Sequence, residues 1–284
     1  MMNSPTDGMY TEVAYQVNEQ IATVTLNRPQ ARNAFTLRMA DEIVHALGRA
    51  DRDPAVRVVI LTSAGRDFCV GADLASGSFD MSGDGAGSPG WQEPAGRVSS
   101  TIYRMRTPVI AAMTGVAVGA GSTMVLPCDV RVASTDSRFG FVFGRRGIAP
   151  EGASTWYLPR LVGLSAASEW LVTGRLIGAE EALAKGLVHY VHEADEVADA
   201  ARALASDIAG NTAAVSVAVI RRMLWHASQA PEPDALHAAE SRLIAELPDN
   251  RDAAEGVESF LQRRPPNFPG AVDSDYPTWV DELH

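Results

Sequence analysis

Lysine is nearly missing from this chain: the 24 Lys+Arg residues include a single lysine, Lys185. That skew reflects a coding bias rather than a physical requirement. Cysteine is scarce as well, with only Cys69 and Cys128. They form no paired motif, which reads as two buried reduced thiols rather than a disulfide framework. The six histidines show no zinc-type spacing. His189 and His192 lie close together but lack a third ligand nearby, so no metal site is expected. The opening MMNSPTDGMYTEV has no cationic stretch followed by an apolar one, so no secretory signal is read there. A long uninterrupted apolar run is also lacking. The most apolar stretch, Val109 to Leu126, contains Gly115, Gly119 and Gly121 and runs into Pro127, Cys128 and Asp129. It reads as buried strand, turn and helix rather than a membrane span. Positive charge is in deficit: 35 acidic residues give a net charge of −11. Phosphate-backbone binding needs clustered cations, so a nucleic-acid partner is not expected, although a local basic patch remains open to a phosphorylated small molecule. The expectation is a soluble, cytoplasmic protein with neither nucleic-acid nor membrane partner.

What is present is a core. The 284 residues are 46% hydrophobic, enough for one large domain or two intimate ones. Tyr10 to Leu26 alternates and is rich in β-formers, which predicts an opening antiparallel hairpin, ended at Asn27-Arg28-Pro29. Thr36 can cap a helix reaching about Ala50, with Met39, Ile43, Val44 and Leu47 as its apolar stripe. Val56–Thr62, Pro108–Met113 and Val130–Ala133 are short apolar runs, as expected of strands covered on both faces. Strand, helix and strand at this spacing imply right-handed crossovers and a largely parallel sheet. Ala75 to Pro94 is glycine- and serine-rich without periodicity and reads as a mobile loop, either a flexible insertion without function or, directly after Gly71-Ala72-Asp73-Leu74, a cover for a substrate. From Ser165 onward helices dominate. The chain divides into an α/β core over residues 10–205, a C-terminal helical section over 206–268 and an extended tail over 269–284.

Two glycine-bearing corners follow apolar strands: Phe68-Cys69-Val70-Gly71-Ala72-Asp73 and Gly115-Val116-Ala117-Val118-Gly119-Ala120-Gly121. Glycine permits strained dihedrals and close approach, and N–H groups freed at a helix start can meet negative charge. Side by side, two such corners could hold one oxygen that becomes anionic. A dinucleotide fingerprint is disfavoured because Met124 stands where the third glycine belongs, and a phosphate loop because no Gly-Lys-Ser/Thr follows.

VVILTSAGRDFCVGADL, TPVIAAMTGVAVGAGSTMVLPCDVRVAS, ATVTLNRPQARNAF, LVTGRLIGAEEALAKGLVHYV and EGVESFLQRRPPNF together resemble segments of the crotonase (enoyl-CoA hydratase/isomerase) superfamily, over roughly residues 10–268. The resemblance implies an α/β crotonase (ClpP/crotonase-like) fold of repeated ββα units with a C-terminal helical section. It places the backbone N–H groups of Ala72 and Ala120, beside Gly71 and Gly119, as an oxyanion hole for an acyl-CoA thioester. It also implies that Ala31, next to Arg32 and Asn33, contacts the CoA adenine region and that Asp73 and Leu74 border the pantetheine channel. Arg28 and Arg32 could meet phosphates. It implies a homotrimer or homohexamer, with Phe260, Arg263, Arg264 and Phe268 between subunits. No cofactor is implied, coenzyme A being part of the substrate.

Hydratases of that superfamily use two glutamates; at the matching positions this sequence has Thr123 and Phe143. One acid remains. Gly147-Ile148-Ala149-Pro150-Glu151-Gly152 resembles the segment of Δ3,Δ2-enoyl-CoA isomerases whose glutamate is the catalytic base. Glu151 lies in a largely apolar stretch, where desolvation would bring its pKa toward neutrality. A single carboxylate suits the movement of a double bond, with Phe143 helping to exclude water. The expected activity is therefore enoyl-CoA isomerisation. Hydration or thioester hydrolysis with one acid, and acyl-CoA binding without chemistry, are the alternatives.

Overall fold

The computed structural model describes residues 9–75 and 86–283. The chain opens with the expected hairpin, β1 (Val13–Asn18) and β2 (Ile21–Leu26), paired antiparallel. Glu19 and Gln20 close it with φ of 51° and 66°, left-handed values that the sequence, lacking glycine there, does not advertise. α1 (Leu37–Arg52) follows, its first turn capped by Thr36, whose hydroxyl accepts the Met39 N–H at 2.9 Å. Then come β3 (Val58–Ser63), α2 (Pro94–Arg104), β4 (Val109–Met113), β5 (Val116–Val118), α3 (Ala120–Thr123) and β6 (Val130–Ser134). β7 (Arg138–Gly140), α4 (Phe143–Arg146), α5 (Ser154–Thr173), β8 (Leu176–Gly178), α6 (Ala179–Ala184) and β9 (Tyr190–His192) complete the α/β part. The helices α7 (Val197–Asn211), α8 (Ala214–Ala227), α9 (Asp234–Ala245), α10 (Arg251–Gln262) and α11 (Val272–Asp275) end the chain.

The main sheet has the order β1-β2-β3-β4-β6-β9, parallel from β2 onward. β3 shows why its sequence reads as unbroken apolar residues. Val58 and Ile60 face α7 with Ala201 and Ala205, while Val59 and Leu61 face the principal core with Phe35, Met39 and Leu47. Both faces are covered, so alternation disappears. A second sheet, β5-β7-β8, stands apart, parallel between β5 and β7 and antiparallel between β7 and β8. This is the α/β crotonase-type fold that the resemblance implied.

Three boundaries differ from the sequence reading. The division at 205/206 falls inside α7, which packs along the sheet through Ala205 and Ala209 and so belongs to the core. α5 has a first segment, from Ser154, that the sequence reading left out; the non-helical Gly163 (φ 79°, ψ 155°) breaks the element there, and its second segment is the helix expected from about Ser165. The expected extended tail is instead a folded cap. Tyr276 and Val280 are buried against Ala218 and Val219 of α8, and Asp281 receives Arg106 Nη2 at 2.9 Å. Of the expected loop over Ala75–Pro94, residues 76–85 lie outside the described residues, and its end forms the start of α2. Proline at the first helical position, followed by Ala95, Val98 and Ile102, is the signal for that helix. No single helix among the described residues is long and apolar enough to cross a membrane.

Candidate active site

The two corners meet. After β3 the chain pairs with β5, Cys69 N–H donating to Val116 O at 2.9 Å and Val118 N–H to Cys69 O at 3.0 Å. It then pairs with the residue before α1: Phe35 N–H donates to Gly71 O at 2.8 Å and Asp73 N–H to Phe35 O at 2.9 Å. In that parallel bridge the amide of Ala72 faces the other way, and it has no partner among the described residues. Gly71 has φ +91°, and a Cβ there would lie 3.0 Å from Val118 O. Gly119, at φ 55° and ψ −123°, occupies backbone space that side chains do not tolerate, and its N–H donates to Gly140 O at 2.8 Å. The next N–H, that of Ala120, starts α3 and has no acceptor among the described residues. A Cβ on Gly119 would lie 3.7 Å from the Gly71 Cα, so the corners abut. Gly121 is needed for packing: a Cβ there would fall 2.4 Å from Cys69 O.

Glu151 arrives on the turn between α4 and α5. Gly152, with φ +64°, lies so close to α3 that a Cβ would stand 2.8 Å from the Thr123 Cβ, which sets the Glu151 turn against the second corner. Burial, and secondly the charge of Glu93, push the Glu151 carboxyl up to about 7. Burial, opposed by the Gly71 N–H, also raises the Cys69 thiol to about 12, and the charge of Glu151 adds to that. Glu151 is therefore within electrostatic reach of Cys69, a residue of the first corner. A half-buried carboxyl titrating near neutrality can both accept and return a proton, and unpaired amides beside it can take up developing negative charge.

The other residues separate. Arg32 is exposed; its Nε donates to Asp67 Oδ2 at 2.7 Å, which aims the guanidinium at the surface beside Ala31. Arg28 departs from the expectation of a phosphate contact. Its guanidinium pairs with Asp73 at 2.9 Å and Glu12 at 3.4 Å and donates to Ala34 O at 2.6 Å, bracing the first corner instead. The Ala75 N–H and Arg28 together hold the Asp73 carboxyl below its usual range, so Asp73 is committed to the loop. Leu74 is exposed beside it. Phe143, at the start of α4, is 2% exposed and packs within the main core.

Sequence reasoning missed Arg221 and Glu93, and named Asn33 only as a neighbour of the expected CoA contact. Asn33, fully buried at a left-handed φ of 53°, donates to Ala64 O and Asp67 O at 2.8 Å and accepts the Arg28 N–H at 2.8 Å. It ties the loop after β2 to the loop after β3. Arg221 of α8 reaches back to Asp129 at 2.8 Å and to the last carbonyls of α2. Glu93 accepts the Gly152 N–H at 2.7 Å, which brings a second carboxylate beside Glu151. Next to it a cavity of about 370 Å³ is lined by Trp91, Glu93, Ser99, Tyr103, Ala153 and Tyr157. Glu-Pro ahead of a helical stripe marks the position of Glu93, but nothing in the sequence places it 59 residues away against Gly152.

An α/β fold with two adjoining amide corners and a neutral-range carboxyl defines a class of acyl-CoA enzymes, and the comparisons agree. The family model for enoyl-CoA hydratase/isomerase matches residues 16–271, and the chain belongs to that family. It is 37% identical over 249 residues to an enoyl-CoA hydratase of Alternaria alternata, covering 87% of this chain and 82% of that one. It is 32% identical over 260 residues to the 1,2-epoxyphenylacetyl-CoA isomerase of Escherichia coli, covering 89% and 97%. A crystal structure of a probable enoyl-CoA hydratase/isomerase from Mycobacterium abscessus superposes with a TM-score of 0.84 at 36% identity, covering 91% and 99%.

Proposed function

We propose that this acyl-CoA enzyme is an enoyl-CoA isomerase in which Glu151 is the acid–base group and the amides of Ala72 and Ala120 hold the thioester oxygen. The observation that carries this reading is a single glutamate brought to about 7 by burial, on a turn packed against the second amide corner. Glu151 in its ionised form removes a proton from C2 of a 3-enoyl-CoA. The C–H electron pair moves into the dienolate, and the two amides carry the negative charge on oxygen. The protonated Glu151 then returns the proton to C4, and the double bond comes to lie between C2 and C3. Each amide of such a pair is worth roughly 2.7–4 kcal/mol at the transition state. The substrate contacts proposed are Arg32 and Ala31 toward the CoA adenine end and Leu74 along the pantetheine channel, with Arg28 and Asp73 supporting that channel. The same reading includes self-association as a homotrimer or homohexamer.

Hydration is the second reading. It is favoured by the name of the Alternaria relative and by the second carboxylate that Glu93 places near Glu151. Two assays separate them: deuterium incorporation during conversion of 3-hexenoyl-CoA in heavy water, and loss of enoyl absorbance from crotonyl-CoA. The isomerase reading expects turnover in the first and little in the second. It expects Glu151→Gln to lower kcat for isomerisation by about 10²-fold or more. Full turnover by Glu151→Gln would end it.

A further inference from the structure

Glu93 is the residue before α2, and Pro94 takes the first position of the helix. Its side chain folds over the first turn: a Cβ on Gly96 would lie 2.3 Å from Glu93 Oε1, so that glycine leaves the space the carboxylate fills. Oε1 accepts the Gly152 N–H at 2.7 Å, while Oε2 is buried without a hydrogen-bond partner among the described residues. Arg97, the first cation of α2, pairs with Asp41 instead. A half-satisfied buried carboxylate is costly for stability, and such a cost persists where the group has work to do.

We propose that Glu93 is a positioning residue for Glu151: one oxygen fixes the turn that carries Glu151, and its negative charge makes Glu151 a stronger proton acceptor. The proposal rests on the isomerase reading above, in which Glu151 moves the proton. Removing a weakly acidic C2 proton rewards a base of higher pKa, provided that base is still ionised at working pH. Among the described residues, the other titratable groups around the pair are Cys69, from the first corner, and the hydroxyls of Tyr103 on α2 and Tyr157 on α5. The Cys69 thiol, at about 12, brings no charge.

The test uses the full chain and two readouts. One is the pH dependence of kcat and kcat/KM for isomerisation of 3-hexenoyl-CoA. The other is the titration of Glu151 by NMR of carboxyl-labelled glutamate, which needs no turnover. In Glu93→Gln the amide oxygen still accepts the Gly152 N–H, so the turn is kept and only the charge is lost. The acid limb and the Glu151 titration should both move to lower pH by about half a unit or more. The plateau kcat should fall about threefold or more while KM changes little. Gly96→Ala, which pushes the carboxylate off its seat while keeping Glu93, should shift both in the same direction and serves alone if Glu93→Gln does not fold. A wild-type profile and titration in these variants would overturn the proposal, because a purely structural anchor is rescued by the isosteric amide. If Glu151→Gln kept its turnover, the isomerase reading would fail on its own, and the NMR titration would still decide whether Glu93 sets the charge at Glu151.

Discussion

At the scale of single residues, the ionisation that the proposed mechanism asks of Glu151 also bears on stability. Its carboxyl titrates near 7 in the folded chain because burial and the Glu93 charge oppose ionisation, against about 4.5 when unfolded. Below the unfolded value the group is neutral in both states and costs nothing. As pH rises through 7 the folded protein must hold a buried charge that the unfolded chain hydrates freely, so stability from this group is lost on the alkaline side. Glu151→Gln should therefore be more stable than wild type by about 1–3 kcal/mol at pH 8 and nearly equal to it at pH 4.5. Urea denaturation at the two pH values checks this; an equal difference at both would contradict the assigned environment of Glu151. The partial burial of Glu151 was legible from its apolar surroundings in the sequence. Its second neighbour was not, because Glu93 acts through space and local composition carries no record of such a contact.

At the scale of elements, α2 links the N-terminal carboxylate to a buried arginine at its other end. Its last carbonyls, on Ile102, Tyr103 and Met105, accept from Arg221 of α8, which also pairs with Asp129. The Arg221 side chain is only 4% exposed, so one residue satisfies a helix end and a carboxylate in the interior. Removing it strands those acceptors. Arg221→Gln should cost about 3 kcal/mol, measurable as a fall in the urea midpoint with an unchanged slope. A loss below about 1 kcal/mol would mean that water replaces the guanidinium there. Elements with strong periodicity, such as α1 and β3, could be read directly, since burial pattern and sequence pattern coincide. α2 escaped because the glycine-rich stretch before it dominated the local composition.

At the scale of the whole molecule, the C-terminal helices leave apolar residues uncovered. On α10, Val257, Phe260 and Leu261 are 61%, 81% and 73% exposed, and on α8 Leu224 is 66% exposed. A net charge of −11 disfavours indiscriminate association, so a patch of this kind fits specific self-association. The wild-type protein should sediment as a trimer or hexamer, and Phe260→Glu should shift it toward the monomer at micromolar concentration. A monomeric wild type would remove the self-association from the proposed function. Arg264, expected between subunits, already pairs with Glu255 at 2.6 Å within its own chain and is the weaker candidate for a contact across the interface.

The sequence by itself determined the parallel α/β core, the two glycine corners and the apolar setting of Glu151. Each of these depends on short-range constraints: strand patterning, a left-handed backbone that only glycine tolerates, a carboxylate set among apolar neighbours. Only the tertiary structure decided that Glu93 sits against Gly152, that Arg28 braces a loop, and that the last residues fold back onto α8. Those outcomes depend on which distant surfaces the sheet and helices bring together, and hydrogen bonds between charged groups far apart in the chain form only after that packing has excluded water.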